Sequence, residues 1–366
     1  MTFIMQTRAV VYKERESGSD GDFELKETFE CPEQDSHSVM VKVKACGLSV
    51  ATRFKFVKEF GLSLEKEKPV GREISGIVTS VGSSVTRVTV GDEVTGLVPV
   101  NSKSAGCATF CVVSEFDLVS KPEKIGHVDA AGCIGDGVRA YTALHYQAKL
   151  CGGETVLIFD GASSSGLIMI QLAQSWGAKV ITTASTEEEM LLLESLQPPL
   201  TKVIDVRKVE SSLVDICMEE TGGLGVDCIV DNGVTLYSEE FTEHFIESEL
   251  DKVIGHQDGL PSKHDVILCL GVGGRWVTSQ PDLQLDPPDS KLLFAKGASI
   301  CFLFEDVWTL SRGQQGRYLH ILNDLMDKMI NSLVRPVIHH TVSLDNATKT
   351  LKKLKENKVG KIVVTI

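Results

Sequence analysis

TVLIFDGASSSGLIMIQLAQSWGA, residues 155–178, sets a short apolar run against a turn of small residues, followed by a segment with helical periodicity. The run predicts a buried strand and DGASSSG a tight turn. The helix is expected from near Ser165 to Trp176, with Leu167, Ile168, Ile170, Leu172 and Ala173 on its apolar face. In a dinucleotide fingerprint the first glycine permits the turn, the second lets backbone approach a pyrophosphate, and the third lets helix and strand pack. Here the first is Gly161 and the third Gly166, but the second position is Ser163. A Cβ and hydroxyl there take space a pyrophosphate would use, while the hydroxyl could itself donate to phosphate. The helix N-terminus, opened by Ser163, Ser164 and Ser165, still favours an anion.

Outward from this stretch, KVITT (179–183), TKVID (201–205) and DCIVD (227–231) are further short strands separated by helix-length segments. That alternation predicts a doubly wound parallel sheet of Rossmann type over residues 129–305. Residues 1–128 read as β-rich. VMVKVKACGLS (39–49) alternates, and GREISGIVTSVGSSVTRVTVGDEVTGLVPV (71–100) breaks β-branched runs with glycines, as a small barrel requires. The expected fold class is therefore α/β, a β-barrel domain plus a Rossmann domain, with 306–366 returning to the first. That return is expected to hold a helix over 314–331, a turn LVRP, a helix over 344–356 and a final strand KIVVTI. Residues 235–264 read as a helix and an acidic surface excursion. ASICFLF (298–304) reads as a late strand; at a sheet edge its open backbone would favour a homodimer.

The 366 residues carry a formal charge of −13 and ten scattered cysteines. Such a field argues against direct nucleic-acid contact, and the cysteine pattern points to a reducing, cytoplasmic compartment. The sequence suggests neither a signal peptide nor membrane insertion. Lys349, Lys352, Lys353, Lys355, Lys358 and Lys361 form a local basic patch, read as a solvated helix face.

Three co-linear segments carry a family likeness: GREISGIVTSVGSSVTRVTVGDEV, TGGLGVDCIVDNGV (221–234) and VGKIVV (359–364). They resemble the medium-chain dehydrogenase/reductase superfamily, and within it the quinone oxidoreductase branch. The resemblance implies a GroES-like N-terminal domain, a Rossmann domain, and a zinc-independent, NADPH-dependent reductase that passes hydride to a quinone or enone. A narrower likeness to quinone oxidoreductase-like proteins rests on VGREISGIV, IGDGVRAYTALHY, VLIFDGAS, EETGGLGVD, LGVGGRWVT and LQLDPPDS. It implies a subunit of FERRY, a multi-protein complex that acts as a Rab GTPase effector and links mRNAs to early endosomes.

Several residues depart from what the superfamily implies. Arg72 stands where zinc-dependent members place a histidine, and a guanidinium is no zinc ligand. Cys46 is followed by Ser49 and Thr52, and Cys107 and Cys111 read as half-buried small residues, so no metal is expected. Ser49 and Thr52 replace the branch's asparagine and aspartate. Arg53, Arg72, Tyr141 and Arg139 are the catalytic candidates, as groups able to polarise a carbonyl. Against that role, Arg53 reads as a surface cation and Arg72 as a partner of Glu73. Tyr141 reads as a core tyrosine and Arg139 as a helix-start cation. After KVITTA, Ser185 and Thr186 could offer hydroxyls to a ribose or cap the next helix. No acid ends the strand as NAD would require, and Glu187, Glu188 and Glu189 would repel the 2′-phosphate of NADPH. These departures favour a scaffold subunit with a degraded cofactor site over an active reductase.

Overall fold

The computed structural model describes residues 6–13, 22–49, 67–207, 212–235, 260–354 and 359–366. The described residues fall into two compact units, one formed by the chain up to Val138 together with Asp306–Ile366, the other by Arg139 to Glu305.

The first unit is a GroES-like β-structure. Strands β1 (Gln6–Lys13), β2 (Asp22–Glu30) and β4 (Glu67–Pro69) form a small sheet in the order β2-β1-β4. β3 (Ser38–Gly47), β5 (Glu73–Val81), β6 (Glu93–Leu97), β7 (Phe110–Ser114) and β8 (Leu118–Ser120) build the larger one, with β3 paired to both β5 and β7. The alternation in β3 does what its period predicts: Val39, Val41 and Val43 enter the core while Lys42 stays exposed. Helix α1 (His127–Tyr141) leaves this unit, and its last residues belong to the second.

The second unit is a six-stranded parallel sheet of β9 (Thr155–Ile158), β10 (Lys179–Ala184), β11 (Lys202–Asp205), β12 (Val226–Val230), β13 (Leu270–Thr278) and β14 (Ser299–Phe302). Its order, β11-β10-β9-β12-β13-β14, reverses direction between β9 and β12. Helices α2 (Ser164–Ser175), α3 (Glu187–Glu194), α4 (Leu213–Glu220), α5 (Lys263–Cys269) and α6 (Pro287–Lys296) connect the strands. All five residues expected on the inner face of α2 are buried, and Leu157, Ile181, Ile229 and Trp276 centre the core. β14 is the late strand read from ASICFLF, and it lies at an edge of the sheet.

The chain then returns to the first unit through α7 (Val307–Leu310), α8 (Gln315–Ile330), β15 (Ile338–Ser343), α9 (Ala347–Lys352) and β16 (Lys361–Thr365). β16 pairs with β3, and β15 lies parallel outside it. The single helix expected over 344–356 is instead a 3₁₀ turn, Leu344–Asn346, followed by the shorter α9. β15 escapes the sequence because IHHTVS exposes most of its side chains and shows no clean alternation. Lys361 is no part of a solvated face: it is 3% exposed. Lys352 pairs with Asp22 at 2.6 Å, and Lys355 and Lys358 lie outside the described residues, as do most of 235–264. Among the described residues no helix is long and apolar enough to cross a membrane.

Candidate functional site

In an open parallel sheet a ligand binds outside the carboxyl ends of the strands, where the strand order reverses. In the second unit that point lies between the ends of β9 and β12, occupied by Phe159–Asp160–Gly161 and Asp231–Asn232–Gly233. Asp160 takes a left-handed backbone, φ +53°, a conformation that aspartate tolerates better than most residues. The turn it makes brings two side chains together across the crevice. Asn232 Nδ2 donates to Asp160 Oδ2 at 3.2 Å. Behind them Arg139, in the last turn of α1, donates to Asn232 Oδ1 at 3.2 Å and to Glu305 Oε2 at 2.9 Å. Arg139 is thus a helix-end cation, not the helix-start cation read from sequence, and its charge is matched by Glu305.

The two glycines of the turn have steric work. A Cβ on Gly161 would stand 2.0 Å from Thr182 Oγ1 on β10, and one on Gly166 2.4 Å from the Asp160 carbonyl oxygen. Ser163 has an ordinary extended backbone, φ −62° and ψ 159°, so nothing in the chain's path requires glycine there. Its hydroxyl turns back into the protein, accepting from the Gly166 N–H at 3.1 Å and donating to the Asp160 carbonyl at 2.7 Å. It is the N-cap of α2, and one donor that would face a phosphate is already satisfied. Ser164 and Ser165, half-buried, open the first turn beside it.

At the end of β10, Ser185 and Thr186 are likewise committed. Thr186 caps α3 by accepting from the Glu189 N–H at 3.2 Å. Glu189 folds back and accepts from the Ser185 N–H at 2.6 Å and its hydroxyl at 3.0 Å. This reciprocal arrangement is a capping box shifted by one residue. The three glutamates therefore do not act alike: Glu187 and Glu188 are exposed, while Glu189 is 4% exposed and supplies a carboxylate at the strand end. The strand itself ends on no acid; Glu189 folds back to supply one, and the fold adds a cation from the neighbouring strand. Arg207, just beyond β11, has its guanidinium pKa raised first by Asp205 and then by Glu187 and Glu189. It is held by Asp205 through Nε at 2.8 Å and Nη2 at 2.7 Å. The signal that finds it is the parallel pairing of β10 with β11, which sets their carboxyl ends side by side.

The remaining candidates lie elsewhere. Tyr141 is 5% exposed and packs edge-on against Trp176, ring centres 5.6 Å apart. Trp176 ends α2, roughly 18 Å from its N-terminus at 1.5 Å per residue. The structure does not bring Tyr141 to the phosphate turn. Arg72, in the first unit, does not pair with Glu73 as expected. Its Nη1 and Nη2 grip both oxygens of the Asp306 carboxylate, and Nε donates to the Val98 carbonyl at 2.8 Å. Both partners are buried. Arg53 and Thr52 lie outside the described residues, and Ser49 is half-buried just after β3. Cys46 is fully buried, and so are Cys107 and Cys111, which the sequence reads as half-buried. Cys46 Sγ donates to the Gly47 carbonyl at 3.5 Å, and Cys107 beside it together with burial holds its thiol well above the usual range. Among the described residues no three His, Cys, Asp or Glu side chains are placed to hold a metal ion.

For a dinucleotide the fit is poor. The glycines leave room for the turn, but the crevice polar groups bond to one another, and the strand-end carboxylate opposes a 2′-phosphate.

A GroES-like barrel unit and a Rossmann unit whose switch point carries this turn define a medium-chain dehydrogenase/reductase. Residues 35–150 match the family of alcohol dehydrogenase GroES-like domains. The chain is 43% identical over 355 residues to quinone oxidoreductase-like protein 1 of Mus musculus, covering 97% of this chain and 98% of the relative. It belongs to the quinone oxidoreductase-like family. Human quinone oxidoreductase is 26% identical over 218 residues, 59% of this chain and 64% of that one. Among solved structures, the CurK enoyl reductase superimposes with a TM-score of 0.76 at 20% identity, covering 99% of both chains. A quinone oxidoreductase of Pseudomonas syringae pv. tomato gives 0.76 at 17% identity over 98% of this chain and 100% of that one. These structural likenesses speak to fold alone.

Proposed function

We propose that this chain is a quinone oxidoreductase fold reused as a scaffold subunit, with its dinucleotide crevice closed by its own side chains. The observation that carries this reading is the Asp160–Asn232 hydrogen bond across the switch point. It sits where a dinucleotide would pass, and Ser163 caps the helix beneath it. The family likeness supplies the setting, a subunit of the endosomal FERRY complex recruited from the cytoplasm to early endosomes, with RNA contacted by other subunits. The charge of −13 supports that last point.

The test is ligand-dependent stability, since a ligand that binds only the folded state raises the melting temperature. NADPH at micromolar concentration is expected to leave the wild-type melting temperature unchanged. The double variant Asp160→Gly/Ser163→Gly removes the bridge and the hydroxyl, and glycine adopts the φ of residue 160 readily. It is expected to gain stabilisation by NADH, about 2.7 kcal/mol once ligand reaches a hundred times Kd, and less by NADPH because of Glu189. Gly161 and Gly166 favour a second reading, an active zinc-independent NADPH-dependent quinone or enone reductase. Strong stabilisation of the wild type by NADPH, together with quinone turnover, would establish it and remove the scaffold reading.

A homodimer fits the edge strand β14, where Phe302 is 53% exposed. Phe302→Lys is expected to shift the sedimenting species from dimer to monomer. An unchanged dimer would place the contact elsewhere.

A further inference from the structure

One buried cluster in the first unit holds an odd number of charges. Glu73 opens β5, Asp136 lies in α1 and Lys361 opens β16. Lys361 Nζ stands 2.8 Å from Glu73 Oε1 and 2.9 Å from Asp136 Oδ2, and the side chains of Glu73, Asp136 and Lys361 are 6%, 12% and 3% exposed. Two carboxylates thus share one ammonium away from water, leaving one negative charge over. The hydrogen bonding shows the same deficit: Glu73 Oε2 is buried without a hydrogen-bond partner, and Asp136 Oδ2 has none beyond its contact with Lys361. Buried polar groups in native proteins are nearly always satisfied, and an unpaired buried charge tends to neutralise. The carboxyl occupies space that two glycines leave open. A Cβ on Gly135 would stand 2.5 Å from Glu73 Cδ, and one on Gly47 2.8 Å from Oε2.

Among the described residues no further cation bonds to this pair, and Arg72 acts on Glu73 only through space. Arg72, one residue before Glu73, is bound to Asp306. The thiol of Cys46 on β3 is kept neutral by Cys107 and burial, and that of Cys133 on α1 by burial.

We propose that Glu73 carries a proton near neutral pH, and that this proton controls a pH-sensitive joint between β5, α1 and the returning strand β16. Burial pushes the Glu73 carboxyl up to about 7 from its ordinary 4.5, against the pull of Lys361. The folded protein therefore holds a proton that the unfolded chain releases. The stabilisation is fully present below about pH 4.5 and is lost as pH rises through about 7.

Urea unfolding of the whole chain between about pH 5 and pH 8 tests this. Glu73 is expected to raise the unfolding constant up to roughly a hundredfold across that range. Asp117, raised to about 7 by burial, gives a slope of the same sign, so the comparison is made in an Asp117→Asn background. There Glu73→Gln, which keeps the shape of the neutral acid, is expected to flatten the profile and to exceed its parent in stability at pH 8. Parallel profiles would overturn the proposal. Should Glu73→Gln fail to fold, amide exchange of the wild type decides. Protection of Lys361–Thr365 is expected to fall across the same range relative to Ser299–Phe302. Constant relative protection would overturn it equally.

Discussion

Arg72→Met is expected to destabilise the first unit by about 3–5 kcal/mol, the cost of stranding one member of a buried ion pair. Arg72 is 8% exposed and Asp306 1%, so neither recovers water when the other is removed. The loss has two parts. The Asp306 carboxylate keeps its charge without its two guanidinium contacts, and the Val98 carbonyl loses its donor. Chemical denaturation reads the effect as a lower midpoint with an unchanged slope. Arg72→Met/Asp306→Leu is expected to recover much of it, because an apolar pair leaves no charge buried. If Arg72→Met matches the wild type, Arg72 is not a structural clamp, and its role as a carbonyl-polarising group returns.

Gly161→Ala is expected to have the second largest effect, at or above the roughly 1–3 kcal/mol of an overpacked core. The added methyl would stand 2.0 Å from Thr182 Oγ1, 3.0 Å from Thr182 Cβ and 3.1 Å from Ile170 Cδ1. Thr182 cannot yield freely, since its hydroxyl donates to the Ile158 carbonyl at 2.7 Å. Thr182→Ala in the same chain is expected to relieve most of the cost, giving a large coupling in a double-mutant cycle. Ser163→Gly, two residues on, is expected to cost only a few tenths of a kcal/mol, since glycine is itself a tolerated N-cap. A Gly161→Ala protein as stable as wild type would mean that the turn relaxes, and that its glycine serves something other than packing.

The turn was legible in sequence as geometry but not as chemistry. Its strand, helix and two small-residue positions follow from periodicity and from glycine's missing side chain, which are local properties. What closes the crevice is not local. Asp160 and Asn232 lie 72 positions apart, and the sequence has no means of placing them on adjacent strands until the order of the sheet is known. Ser163 was read as an obstruction, yet its hydroxyl points inward as a cap. The side-chain rotamer, not the residue type, decides that. Arg72 and Asp306 are separated by 234 positions, and Glu73 and Lys361 by 288. The adjacent Glu73 offers Arg72 a plausible wrong partner, and Lys361 reads as part of a solvated face. The full burial of Cys107 and Cys111 was also hidden, because in a strand their spacing fixes a shared face but not which side of the sheet is covered.

The pairing of β16 with β3 ties residues 363–365 to residues 45–47 across the whole of the second unit. During synthesis this closure waits for residues 363–365, some sixty residues after the last described strand of the parallel sheet, which ends at Phe302. Until then residues 45–47 of β3 lack their partner on one side, while β5 lies along the other side and β7 covers residues 38–42. Such an edge readily pairs with other chains. For this protein the strand edge that is completed last belongs to the first unit.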